Sequence, residues 1–156
     1  MNLLDAVEKA EHNENVRKLG GYFLGSIFAS IVESEELKEW TILYYNPQSK
    51  TVIDCFVSDK FVTVGEETPA IKEMEELDLK NVKVGIETVL KTMEKRFKKK
   101  ALNTLISLHK KHFEKETKTV WTVAFVTPDM SAVSFDIDAA SGNVLNEVTT
   151  HLLRKI

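Results

Sequence analysis

The sequence predicts an α+β fold of two tandem helix-strand-strand-strand units, an antiparallel sheet with the helices packed on one face. Three observations predict it. The stretch WTILYYNPQSKTV, which begins at Trp40, returns as WTVAFVTPDMSAV, which begins at Trp121. A shift of 81 residues sets Trp40 on Trp121, Thr41 on Thr122, Pro47 on Pro128 and Val52 on Val133 without a gap, and upstream Leu24 on Leu105 and Ser26 on Ser107. The order of hydrophobic periods, helical and then strand-like, is also the same in both halves. Two copies of one unit constrain the architecture before any local assignment is made.

The elements follow in order. Leu3, Leu4, Val7, Ala10 and Val16 give a helical apolar spacing over about 2–17, and Gly20-Gly21 stops it. YFLGSIFASIVES is β-branched and aromatic and reads as a strand. SEELKE is a charged turn, and Glu39–Tyr45 is the second strand. NPQS is a turn whose proline suits the second position of type I, and Thr51–Val57 is the third strand. Residues 1–66 make the first unit, and an acidic connector with one short helical turn, 67–80, joins it to the second, 81–156. There, about 78–97 is the helix, with Val84, Val89, Leu90, Met93 and Phe97 inward and Ile86 near them. ALNTLISLHKKHFEK would tolerate a helix by its leucines, but its counterpart in the first unit makes it a strand. Val120–Val126 and Ala132–Asp138 are the next strands, and in the last Val133, Phe135 and Ile137 alternate with polar residues. AASG closes it, with Gly142 free to take a positive φ, and NVLNEVTTHLLRKI reads as a strand-to-helix segment. The two units can join edge to edge in one six-stranded sheet, which removes two exposed edges, or pack separately; the sequence allows both.

The totals fit this architecture. At 156 residues, 43% apolar and 29% charged, the chain can bury a core. A net charge of -3 does not suggest a general nucleic-acid binder, and no apolar run approaches the ~20 residues of a membrane helix. The start, MNLLDAVEKAEHNENV, has no basic residue before Lys9 and is not a secretory signal; with Cys55 alone, the expected location is cytoplasmic.

The stretch VWTVAFVTPDMSAVSFDIDAASGNVLNEV resembles the PepSY family, whose units run from a helix through aromatic-rich strands to an acidic-Ala-small-Gly turn. The matching residues are Trp121, Val123, Phe125, Phe135, Asp136, Asp138, Ala139, Gly142, Val144 and Leu145. The resemblance covers about 82–146; in the first unit SDKF stands where the AASG turn belongs. It implies a cystatin-like α+β module, often in tandem, without catalytic residues and associated with the restraint of peptidases.

Few residues offer chemistry. From Lys91 to Lys118 there are ten Lys or Arg and three acids. Lys95, Arg96, Lys98, Lys99, Lys100, Lys110 and Lys111 form a candidate patch for an anion such as phosphate, for an acidic partner or, as a third and weaker reading, for nucleic acid, unless they pair with Glu33, Glu35, Glu36 or the connector. The closing segment NVLNEVTT lacks the basic residues a double-stranded-RNA-binding domain needs. His109 and His112 fall on opposite faces of a strand and lack a third ligand, so they make no metal site. Asp136 and Asp138 share a strand face and read as solvated carboxylates, since Ala140 stands where a calcium loop needs oxygen. Cys55 reads as a packing residue, and Trp40 and Trp121 as edge or core markers.

The expectation is therefore a non-catalytic binding or regulatory module with no cofactor and no metal. Its partner would be a protein or a second copy, in a dimer, and not nucleic acid. The alternative is a small-ligand binder or enzyme with its site between the units, using Tyr22, Tyr44, Tyr45 and the two histidines.

Overall fold

A computed structural model describes residues 1–33 and 35–151. Over these the protein is a sheet-dominated α+β fold of three α-helices and nine strands with antiparallel pairing. The chain divides into two compact units, Met1–Ala29 with Leu37–Leu77, and Ser30–Glu36 with Asp78–Ile156.

The first unit opens on α1 (Leu3–Glu11). Asn2 caps it by accepting the Leu4 N–H at 2.8 Å. Leu3, Ala6, Val7 and Ala10, spaced i, i+3, i+4 and i+7, are its buried stripe, while Leu4, expected inside, is exposed. The single helix expected over 2–17 is broken. Asn13 starts a new cap, its Oδ1 accepting the Asn15 N–H, and α2 (Glu14–Arg17) follows as a separate turn. Then come β1 (Phe23–Val32), β2 (Trp40–Asn46), β3 (Thr51–Val57), β4 (Val62–Val64) and β5 (Thr68–Pro69). β2 lies between β1 and β3; β4 and β5 both pair with the far edge of β3. Trp40, Ile42 and Tyr44 alternate inward on β2, and Ile53, Cys55 and Val57 on β3.

The stretch read as a connector is part of this unit up to Leu77. β5 lies inside it, the Leu77 N–H donates to Leu24 O at 2.8 Å, and the Leu77 side chain is buried. Met74 comes so close to Gly25 that a Cβ there would stand 2.8 Å from its sulfur. The acids of this stretch mask a few apolar anchors that tie it to the sheet.

In the second unit, Leu79–Asn81 is a 3₁₀ turn, and α3 begins only at Ile86 and runs to Arg96. The Lys83 and Val84 N–H groups both donate to Ala139 O, so the residues before α3 are held to the sheet and not wound into the helix. Ile86, Val89 and Met93 are its buried stripe. β6 (Asn103–His112), β7 (Thr117–Val126), β8 (Ser131–Asp138) and β9 (Val144–His151) follow in spatial order. β6 is a strand, as its counterpart indicated. The closing segment remains a strand through His151, where a turn into helix was expected; the rest of that expectation lies outside the described residues.

The gapless register of 81 does not persist through the ladders. Tyr44 faces Ile53 across β2 and β3, whereas Phe125 faces Val133 across β7 and β8. Val133 thus corresponds to Ile53 and not to Val52. The cause is the turn: Asn46 O accepts from Lys50 N–H before Thr51, whereas Thr127 N–H donates to Ser131 O one residue sooner. Lys50 and Met130, each the last turn residue, both take positive φ, 56° and 62°.

Candidate functional site

The two tryptophans have structural work in their own units. Trp40 is fully buried and its Nε1–H donates to Met1 O at 3.0 Å, two residues before α1 starts. Trp121 is fully buried and its Nε1–H donates to Val84 O at 2.9 Å, two residues before α3 starts. Each indole thus anchors the approach to a helix on a strand, Trp40 at the start of β2 and Trp121 in the middle of β7, which satisfies its one donor away from water.

The basic residues do not gather in one place. Lys95 and Arg96 end α3, Lys98, Lys99 and Lys100 stand in the exposed loop after it, and Lys110 and Lys111 lie near the far end of β6. Seven residues of strand separate Asn103 from Lys110, on the order of 23 Å. Several charges are already paired. Lys100 Nζ is 2.6 Å from Glu33, Arg96 is 3.8 Å from Glu147 and lies over the Phe135 ring at 5.8 Å, and Lys111 Nζ is 2.5 Å from Asp136. The first two pairs are exposed and hold little energy.

The Lys111 pair differs. Asp136 Oδ1 accepts from Thr122 Oγ1 at 2.6 Å while Oδ2 takes Lys111, and the carboxylate is buried. Burial alone would raise its pKa; Lys111, Thr122 and Asn146 outweigh it and hold it below the ordinary 3.8. Asp138, 3.4 Å from Lys118, is also held low, burial again opposed by the Ala140 N–H, Ser141 and Lys118. The two carboxylates share a strand face, but Asp136 is a buried ion-pair member and not solvated. Its alternation with Phe135 and Ile137 was legible; its partners on β6 and β7 were not.

The other candidates are dispersed. His109 Nδ1 is 3.2 Å from Ser107 Oγ, and His112 Nδ1 is 2.7 Å from Thr117 Oγ1. Among the described residues no three His, Cys, Asp or Glu gather as a metal ion requires. Tyr22 OH bonds Thr51 Oγ1 at 2.8 Å, and the buried Tyr44 OH has no hydrogen-bond partner among the described residues. Burial pushes the Tyr44 hydroxyl up, aided by Cys55 and Glu11. Burial, then Asp54, pushes the Cys55 thiol up to about 11, which makes it a packing residue and a poor nucleophile. The tyrosines belong to the first unit and the two histidines to the second.

What the sequence did not reveal is a groove of about 310 Å³ in the second unit. Its floor is Leu90, Phe97 and Phe125. Phe97 is the C-cap just past α3, its N–H reaching back to Met93 O at 2.7 Å, and its ring stacks on Phe125 with centroids 4.6 Å apart and planes within 4°. One wall is Ile31 and Val32, carried in by the end of β1, where Glu33 N–H donates to Leu102 O at 2.9 Å. Val32 is exposed at the mouth, and Glu33, Glu35, Glu94, Lys99 and Thr104 are the polar lining. The sequence marked Leu90 and Phe97 on the helical stripe and Phe125 on a strand, but not that they meet. A smaller cavity of about 220 Å³ lies under α3, lined by Val84, Thr88, Met93 and Gly142 among others.

No protein-family model matches the chain, and no curated protein matches it. Among solved structures it is similar to a crystal structure of a "putative lipoprotein" from Clostridium difficile 630. The TM-score is 0.65 at 14% identity, over 96% of this chain and 93% of that one. At that identity the likeness concerns the fold. Among the described residues no helix is long and apolar enough to cross a membrane.

Proposed function

We propose that this chain is a non-catalytic binding module, descended from a duplicated helix-and-strand unit, that acts through protein–protein contacts. The groove of the second unit carries the reading. It offers an apolar aromatic floor with carboxylates at the rim, the form of a pocket that receives a side chain from a partner. The paired chemistry of Trp40 and Trp121, each bonded to the carbonyl two residues ahead of a helix, supports the duplication. So do the matching stripes of α1 and α3. The PepSY-like stretch 82–146 supports a binding role over catalysis. The pairing of Arg96, Lys100 and Lys111 with carboxylates supports a protein partner over nucleic acid. We keep the cytoplasm as the proposed location on the same free Cys55; the lipoprotein description belongs to the structural neighbour.

The test is a photo-crosslinking amino acid placed at Val32, with Leu4, exposed on α1, as control. In extracts of the source organism, Val32 is expected to give one discrete protein adduct that Leu90→Ser in the groove floor abolishes. Equal labelling from Leu4, or none from Val32, would overturn the reading.

A second reading has the groove hold a small amphiphile with a cationic head, favoured by Glu33, Glu35 and Glu94 around its apolar floor. A thermal-shift screen of cationic amphiphiles would then raise the melting temperature, and Glu94→Gln would reduce the gain. No response across the set would exclude it.

A further inference from the structure

We infer that β9 is a pairing edge for a second copy of this chain, two β9 strands meeting antiparallel across a two-fold axis at Thr149. This rests on the binding-module reading and names one surface and one partner for it. β9 bonds to β8 on one side and to no other described strand on the other. From Asn146 to His151 every residue is exposed, and Val148 is 47% exposed. Such a strand gains one ladder of hydrogen bonds and buries little, which is a weak reason to be ordered in a lone molecule. It also lacks the usual protections of an edge. VLNEVTTH holds one formal charge, no Lys and no Pro. The irregularity in its ladder, between Asp136 and Ile137, lies at its start, away from 147–151.

Charge selects the copy and the register. An antiparallel pair of identical strands centred on Glu147 would set that carboxylate against itself, which is destabilising. Centred on Thr149, it sets Glu147, whose Oε1 lies 3.8 Å from Arg96 in an exposed and weak pair, against His151 of the second copy, twice, and Val148 against Thr150. His151 can meet this demand: its Nδ1 lies 3.0 Å from Ser131 Oγ, which leaves Nε2 for the carboxylate. The Glu147 N–H takes a side-chain acceptor, Asn146 Oδ1, at 3.0 Å. That marks the odd-numbered residues as those whose backbone groups turn to the free edge, the set that would exchange bonds in this register. A two-fold pairing closes on itself and stops at a dimer.

The full-length protein should sediment as a monomer–dimer equilibrium over a concentration series. Thr149→Cys should form an intermolecular disulfide at least tenfold faster than Glu147→Cys under mild oxidation, since facing residues of an antiparallel pair are ~5 Å apart at Cα. Cys55 is buried and should not compete. Thr149→Pro and Glu147→Lys should each weaken the dimer at least tenfold while the circular-dichroism melt of the rest persists. Glu147→Lys keeps the test sound if the proline unfolds β9. A monomer at every concentration overturns the inference, as does a dimer that neither substitution weakens. Faster crosslinking through Val148→Cys overturns the register. None of these outcomes bears on adducts from Val32, so failure here is distinct from failure of the binding-module reading.

Discussion

At the scale of single residues, the buried polar groups determine how the protein responds to solvent. Asp136 has a folded pKa below its unfolded value, so its stabilisation is complete above about 3.8 and is lost as pH falls through the folded value. Acid unfolding followed by circular dichroism should therefore steepen below pH 4, and Asp136→Asn should flatten that limb. Lys111→Met would leave the buried carboxylate to Thr122 and Asn146 without its cation; a loss of about 2 kcal/mol is expected in urea melts, since Lys111 is itself part-exposed. Cys55 behaves in the opposite sense. Its folded pKa is raised, so its contribution is intact below the ordinary 9.0 and is lost as pH rises through about 11. At pH 8 a thiol reagent should label the native protein at least a hundredfold more slowly than the urea-unfolded one. Comparable labelling rates would show that the thiol is open to solvent.

At the scale of elements, caps and close approaches set the boundaries. The Asn2 cap is worth about 1 kcal/mol, so Asn2→Ala should lower the urea midpoint without changing its slope. Gly142, at φ +82°, closes the turn after β8 and lies against Val84; Gly142→Ala should cost about 1 kcal/mol for its left-handed backbone. The periodicities of α1, α3 and β2 were legible because one face of each meets a core, and apolar residues record that face. The break at Asn13 was less so: a cap residue inside a polar stretch looks like any other helical surface position until the N–H it accepts from is seen. β4 and β5 are three and two residues long, too short to carry a period.

At the scale of the whole molecule, each compact unit holds one of the two tryptophans, which makes them separate reporters. Trp121→Phe leaves Trp40 to follow the first unit, and Trp40→Phe leaves Trp121 to follow the second. Each substitution removes one indole hydrogen bond and is expected to cost about 1 kcal/mol. With Lys111→Met added, the Trp121 fluorescence midpoint in urea should fall while that of Trp40 holds. Equal shifts would show that the chain unfolds as one.

By itself the sequence determined the α+β class, the inward faces of the main helices and strands, and the strand identity of β6. Those follow from local periodicity and from comparison of the two halves. Only the tertiary structure decided which charges were spent: Lys100 on Glu33, Lys111 on Asp136, Arg96 on Glu147. Only it joined the end of β1 to α3 and Phe125 as the walls of a groove. Pairing and concavity depend on residues far apart in the chain, and a spacing rule cannot register them. The same holds for the WT-apolar-Pro motif: its recurrence was visible, but the carbonyl each indole reaches, 39 and 37 residues back, was not.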